Sequence, residues 1–231
     1  MGKRIIARAR GKGGPRYISP GHRFQGKVEY PVFKDKVVGV VNDIVHDSGR
    51  TAPLASVNVG GRNIFVVAAE GVSVGDNIVF GATGNGNIAP LKDIEEGTTI
   101  FGIENRPGSG PKLCRTSGTF ATVMSKTEEK VYVKMPSGKF RFFNSNCLAA
   151  IGKPGSGGRK VKPFVKAGQK FYMASARNKL WPRTSAVAMN PVDHPFGGKT
   201  KPGRSKSVSR HAPPGRKVGD IASKRTGKKK R

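Results

Sequence analysis

Residues 130–143 read Lys-Val-Tyr-Val-Lys-Met-Pro-Ser-Gly-Lys-Phe-Arg-Phe-Phe. Val131, Val133 and Met135 recur every second residue, the period of one face of a β-strand. Pro136-Ser137-Gly138-Lys139 is turn chemistry, and Phe140 and Phe142 resume the same period beyond it. The stretch is therefore a β-hairpin. Outward from it, runs rich in β-branched residues, cut by Gly, Pro, Asn and Asp, predict strands over 37–45, 55–59, 63–68, 77–80, 98–103, 119–125, 130–135 and 139–143. Such regular spacing points to all-β barrels or sandwiches. A loop over 81–90 divides the strands into two groups, and two small barrels joined near 105–111 fit the pattern. One helix is predicted over 166–180, which has a single early glycine and no internal proline before Trp181-Pro182 stops it.

Charge follows the same partition. The 231 residues carry 43 Lys and Arg against 14 Asp and Glu, a net charge of +29. Residues 1–36 hold +8, residues 37–152 only +1, and residues 153–231 hold +20. Self-repulsion of this size works against compactness unless a polyanion neutralises it, and phosphate makes nucleic acid the first partner to consider. No apolar run approaches the ~20 residues of a membrane span, and no apolar stretch follows the basic N-terminus as in a secretory signal. Two cysteines, Cys114 and Cys147, are too few for a disulfide framework and point to a reducing, intracellular setting. Neither end of the chain carries enough apolar residues to offset its ordering entropy, so each could be merely solvating sequence. Against that stand Tyr17, His22, Phe24, Trp181, His194 and Phe196, interleaved with the cations. Aromatic faces stack on unpaired bases, and a solvating tail has no use for them.

Three glycine motifs invite an enzyme reading and fail on context. Gly71-Val72-Ser73-Val74-Gly75 has the spacing of a nucleophile elbow, but a strand is predicted after it where the motif needs a helix. The segment 84–89 resembles a dinucleotide fingerprint, but Pro90 follows it. Gly198-Lys199-Thr200 resembles the end of a phosphate loop, yet Asp193 stands where its first glycine belongs. The cysteines have 32 residues between them and no companion ligands, so no metal site is expected, and Cys147 reads as a small core residue. His22, His46 and His211 are isolated. His194 is different: in Met189-Asn190-Pro191-Val192-Asp193-His194-Pro195-Phe196-Gly197-Gly198 two prolines and two glycines define a stiff loop that presents Asn190, Asp193 and His194 at set angles. Catalysis and the reading of folded RNA would both use such a loop. No nucleophile or second base accompanies it, which favours RNA contact.

That loop, with Ala188 before it, resembles the signature of the second large-subunit ribosomal protein, the universal "L-two" family, and Phe196 resembles its archaeal and eukaryotic branch. The start Met1-Gly2-Lys3-Arg4-Ile5-Ile6 is similar to the same branch, as is the run from Ala212-Pro213-Pro214-Gly215-Arg216-Lys217 to Val218-Gly219-Asp220-Ile221-Ala222. Glu70-Gly71, Val74-Gly75-Asp76, Leu113, Arg115, Ser117-Gly118-Thr119 and Pro136-Ser137-Gly138 match in order. The resemblance covers essentially the whole chain. Two departures stand out. Ser185-Ala186 occupies the place of an Arg-Gly pair, and Lys199-Thr200-Lys201 replaces a more glycine-rich stretch.

The resemblance implies a mainly β fold, with an oligonucleotide-binding-fold barrel (37–90) followed by an SH3-like barrel (91–165). A basic N-terminal extension (1–36) and a helix with a basic C-terminal extension (166–231) flank them. It implies a structural constituent of the large ribosomal subunit, cytoplasmic within the ribosome, that binds ribosomal RNA near the peptidyl-transferase region. Subunit association and transfer-RNA placement go with that role. The implied partners are large-subunit RNA, other ribosomal proteins and a contact with the small subunit, without membrane or homo-oligomer. Arg50 and Arg115, each in a Gly/Ser/Thr-rich turn, match family RNA-contact arginines. Asn190, Asp193, His194 and Phe196 belong to the signature loop. The expected phosphate contacts are Lys3, Arg4, Arg8, Arg10 and Arg16 in one extension, and Lys199, Lys201, Arg204, Arg210, Arg216, Lys217, Lys224 and Arg225 in the other. No catalytic residue, cofactor or metal is expected. The rival readings are an RNA-dependent enzyme component with His194 as general acid or base in peptide-bond formation, and a free nucleic-acid chaperone.

Overall fold

Alternating β-branched residues form strands because one face of each can be buried while the other stays wet. A computed structural model describes residues 2–31, 35–199 and 206–224 of the chain. Within it the strands are β1 (Val37–Val45), β2 (Leu54–Val59), β3 (Arg62–Val67), β4 (Asn77–Phe80), β5 (Ile88–Pro90), β6 (Thr99–Phe101), β7 (Ile103–Glu104), β8 (Pro111–Leu113), β9 (Ala121–Lys126), β10 (Lys130–Lys134), β11 (Phe140–Asn144), β12 (Leu148–Ile151), and a separate parallel pair, β13 (Ser207–Val208) and β14 (Asp220–Ile221). Ten of them form one sheet in the order β11-β10-β9-β6-β12-β5-β4-β1-β2-β3, and β7 pairs with β8. The fold is mainly β, with the two β-domains in the expected order.

Two cores divide this sheet. Val41, Leu54, Val57, Val66, Phe80, Ile88 and Phe101 centre the first; Leu91, Ile94, Ile100, Ile103, Val123, Val131, Val133 and Phe143 centre the second. Full burial of each such side chain stabilises the fold by about 1.5–3 kcal/mol before entropy is counted. Register shifts between Val41 and Asp43 on β1 and between Tyr132 and Val133 on β10 mark bulges, which bend strands and sharpen their twist. Contacts divide the chain into two compact units, Pro20–Val165 and the pair Met1–Ser19 with Lys166–Arg231. Part of the segment counted with the N-terminal extension thus belongs with the strands. Val28 is buried and bridges to Phe65, and the Tyr30 hydroxyl donates to the Gly102 carbonyl at 2.8 Å.

Three predicted features change. The 81–90 loop contains β5, whose Ile88 and Ala89 are buried, each in a different core. The 98–103 strand breaks into β6 and β7 at Gly102, where φ is +58°. The helix over 166–180 is shorter, spanning Ala167–Ser175, because Asn178 turns left-handed at φ +49°. Asn178 then donates its side-chain amide to the carbonyls of Pro15 and Ile18. In the N-terminal segment, residues Ile6–Gly11 form a further short helix. At the nucleophile-elbow spacing the structure has a turn between β3 and β4, with Gly71 and Gly75 at positive φ and the Asp76 carboxylate accepting from the Ser73 amide.

The hairpin predicted over 130–143 is present, with Val131 opposite Phe143 and Tyr132 opposite Phe142. Its faces differ from the plain alternation. Val131, Val133 and Phe143 point into the second core, whereas Phe140 and Phe142 are exposed.

Candidate nucleic-acid interface

In Pro20–Val165, two loops carry the predicted arginines. The β1–β2 loop makes a turn at Asp47-Ser48-Gly49-Arg50, closed by the Arg50 amide on the Asp47 carbonyl at 3.2 Å. Asp47 is wholly buried. Its carboxylate accepts from the Gly49 and Gln25 amides and from the Arg50 guanidinium. A buried carboxylate needs that set of donors, and the same bonds fix where Arg50 points. Arg115 follows β8, just after Cys114 at φ +52°. Two residues on, the Ser117 amide donates to the Thr51 hydroxyl at 3.3 Å, which draws the Arg50 and Arg115 loops together. The Arg159 Nε donates to the Ser117 hydroxyl at 2.7 Å, so a third arginine joins them. Glycine is obligatory here: Gly118 has φ +62°, and a Cβ on it would sit 2.6 Å from the Gly157 Cα.

In the other unit, the 188–198 loop is organised by its own backbone. The Asn190 carbonyl accepts from the Asp193 and His194 amides, and the Gly198 amide donates to the Met189 carbonyl. Gly197 lies so close that a Cβ would overlap the Asn190 carbonyl. The Lys3 amide donates to the Val192 carbonyl at 2.8 Å, and the Lys3 ammonium stands 3.5 Å from the Asp193 carboxylate. The N-terminal segment is thereby stitched to the loop. His194 Nδ1 accepts the Phe196 amide at 3.1 Å, and the two rings are 5.0 Å apart. A neutral ring accepting at Nδ1 carries its proton on Nε2. Burial also lowers the His194 pKa below its ordinary value.

Beside this loop, Phe196, Pro195, Val187, Lys206, His211 and Arg216 line a cavity of about 440 Å³. Both halves of the chain match family models, one for the RNA-binding N-terminal domain of ribosomal proteins L2 over residues 4–80, the other for their C-terminal domain over residues 84–217. The chain belongs to the L2 family of ribosomal proteins. It is 50% identical to the large ribosomal subunit protein uL2 of Archaeoglobus fulgidus, over 98% of this chain and 99% of that one. It is 47% identical to the uL2 protein of Methanothrix thermoacetophila over 99% of this chain and all of that one. The uL2 protein of Methanosphaera stadtmanae is 45% identical over the full length of both.

The other cations of this L2 chain are dispersed. Arg4, Arg8 and Arg10 are exposed in the first dozen residues, and Arg16 lines a small cleft with Tyr17, Phe171 and Trp181. Lys199, Arg210, Arg216, Lys217 and Lys224 are exposed, as is Asn190. Lys201, Arg204 and Arg225 lie outside the described residues. Cys147 is fully buried in the second core, and burial raises its pKa. Burial pushes Cys114 up to about 11. Both stay thiols at neutral pH.

Sequence reasoning missed Arg159 and Asp47. Arg159 follows Gly155-Ser156-Gly157-Gly158, a turn much like Gly49-Arg50, and that signal was there to find. Asp47 opens the same turn as Arg50, but its burial depends on Gln25 from a distant part of the chain.

Proposed function

We propose that this chain is a structural, RNA-binding constituent of the large ribosomal subunit. It works in the cytoplasm as part of the ribosome, with ribosomal RNA and neighbouring ribosomal proteins as partners. The match of the whole chain to uL2 relatives carries the reading. Three parts divide the work. The extensions neutralise phosphate with Lys3, Arg4, Arg8, Arg10, Arg16, Lys199, Arg210, Arg216, Lys217 and Lys224, and with Lys201, Arg204 and Arg225, all by charge rather than by base identity. Arg50, Arg115 and Arg159 present planar forks on joined loops, and such forks grip phosphate or guanine through paired hydrogen bonds. The 188–198 loop offers Asn190, Asp193, His194 and Phe196 as a preformed surface against which RNA near the peptidyl-transferase region keeps its shape. Support of subunit association, through a contact with the small subunit, and transfer-RNA placement follow from that position.

The enzyme rival places general acid–base chemistry on His194. A general base needs a free lone pair within reach of its proton donor. Here Nδ1 is occupied by the Phe196 amide, Nε2 carries the proton, and Asp193 faces Lys3. That geometry suits a hydrogen-bond donor to RNA. Hydroxyl-radical footprinting of the protein on large-subunit RNA, with co-sedimentation of the chain with the subunit, tests the reading. Protection near the peptidyl-transferase region is expected. A chain that binds RNA but never sediments with subunits would instead be a free chaperone.

A further inference from the structure

The outward face of the β10–β11 hairpin takes no part in the sites above. It carries Tyr132, Phe140 and Phe142, which are 39%, 63% and 63% exposed. Tyr132 and Phe142 are cross-strand partners with ring centroids 5.8 Å apart in an edge-to-face pair, which helps to hold the hairpin. Phe140 has no such reason to be aromatic, because its cross-strand partner is Lys134. Met124 on β9, 44% exposed, extends the apolar surface. Lys130 and Lys134 alternate with Tyr132 on that same face, and Lys139 stands exposed in the turn. Glu128 and Glu129 lie outside β10, in the loop before it. β11 is the last strand of the sheet, so the face lies at an open edge. A row of aromatic residues on an exposed edge strand is a liability that a partner must cover.

We infer that this face is a stacking platform for unpaired bases of an RNA strand, an inference that rests on the RNA-binding reading above. Aromatic residues on neighbouring strands of a sheet, facing outward, take bases on their rings while nearby cations hold the phosphates. Phe140 and Phe142 lie two strand residues apart, about 7 Å, room for a base on each ring. The lysines on the same face match a polyanion and oppose a basic ribosomal protein. The stacking part of the contact releases no counterions, so it gives the nearly neutral β-domains a way to hold RNA where salt has weakened the phosphate contacts.

The test uses the full chain with a single-stranded oligoadenylate and an RNA duplex of equal length, at raised salt where the extensions' phosphate contacts fade. Both rings are more than half exposed and lie outside the second core, so the double variant Phe140→Ala/Phe142→Ala gives up the edge-to-face pair with Tyr132 but leaves that core intact, which far-ultraviolet circular dichroism checks. It is expected to lose about 5- to 150-fold in single-strand affinity for each stacked base removed, with duplex binding and the salt slope unchanged. Ultraviolet cross-links from the parent chain should map to 132–142. Parent-like single-strand affinity, or an equal loss on the duplex, overturns the platform. So does unchanged RNA binding with loss of a neighbouring protein from reconstituted subunits. A parent chain that binds neither RNA would sink the RNA-binding reading itself and this inference with it.

Discussion

Pro20–Val165 and the pair Met1–Ser19 with Lys166–Arg231 spend their residues differently. Among the described residues, every buried apolar side chain except Ala174 and Val218 lies in the first unit. Twenty-four of the 43 Lys and Arg, but only two of the 14 Asp and Glu, lie in the second. One unit is stabilised by hydrophobic burial, which needs no partner. The other has backbone hydrogen bonds, two short helices, a two-residue strand pair and an exposed ion pair, which together contribute little net stability. A polyanion bound to its cations would supply what it lacks. The difference separates hydrophobic stabilisation, concentrated in Pro20–Val165, from most of the excess positive charge, concentrated in the extensions.

The comparison breaks most readily in the cores. Phe80→Ala or Phe101→Ala should cost about 3–5 kcal/mol in chemical denaturation, because a buried ring leaves a cavity. Phe171→Ala, a similar truncation at a half-exposed ring of the extension unit, should stay within about 0.5 kcal/mol. Comparable losses at both would erase the distinction.

A smaller effect sharpens it at the arginine loops. Arg50→Lys keeps the charge but loses the fork, and should weaken specific RNA binding by about 1–3 kcal/mol with the fold intact if a base contact goes with it. Asp47→Asn should do much the same through Arg50, since it removes the carboxylate that aims the guanidinium. Parent-like affinity in both variants, measured by filter binding, would remove this cluster from the interface.

The smallest effect is the pH response of His194. Its pKa in the folded loop lies below the unfolded value of ~6.5. The unfolded loop therefore binds the proton more readily. The loop's stability is full above about pH 6.5 and falls as the pH drops through the folded pKa. Bound phosphates oppose this, because an opposite charge favours the imidazolium. Histidine proton shifts in NMR titrations should report a pKa below the ordinary one in the free chain and a higher one with RNA. His194→Gln, which keeps a donor, should retain most peptide-bond formation in purified subunits. Loss of several orders of magnitude with normal assembly would revive the catalytic rival.

Much of the β-domains was legible in the residues. β1 and β4 fall on the predicted spans, and β2, β3, β9, β10 and β11 start or end a residue or two away. The missed strands share a cause. β5 and β8 are three residues long and end or begin on proline, and β12 is Leu-Ala-Ala-Ile, whose alanines have low strand propensity. β12 forms because small residues fit between β5 and β6 inside the sheet, a demand only the tertiary structure makes. The outward turn of Phe140 and Phe142 was hidden for a related reason. A two-residue period names a face but not which face is buried, and Phe143 rather than its neighbours meets Val131. At the candidate interface, the 188–198 loop stood out by its prolines and glycines and Arg50 and Arg115 by the family resemblance, whereas the Asp47 carboxylate and the Thr51–Ser117 link join residues too far apart in the chain to be read.

The central claim is that the extensions carry the electrostatics and the strands carry the fold. The direct measurement is the slope of log affinity against log salt for ribosomal RNA, taken for the full chain and for a fragment of residues 20–165. The fragment should fold alone, since it keeps both cores together with Val28 and Tyr30. Neutralising about eight phosphates gives a slope near −6 to −7. The full chain should be at least that steep and the fragment much shallower. Equal slopes would contradict the account, because the β-domains would then carry the charge-driven binding themselves.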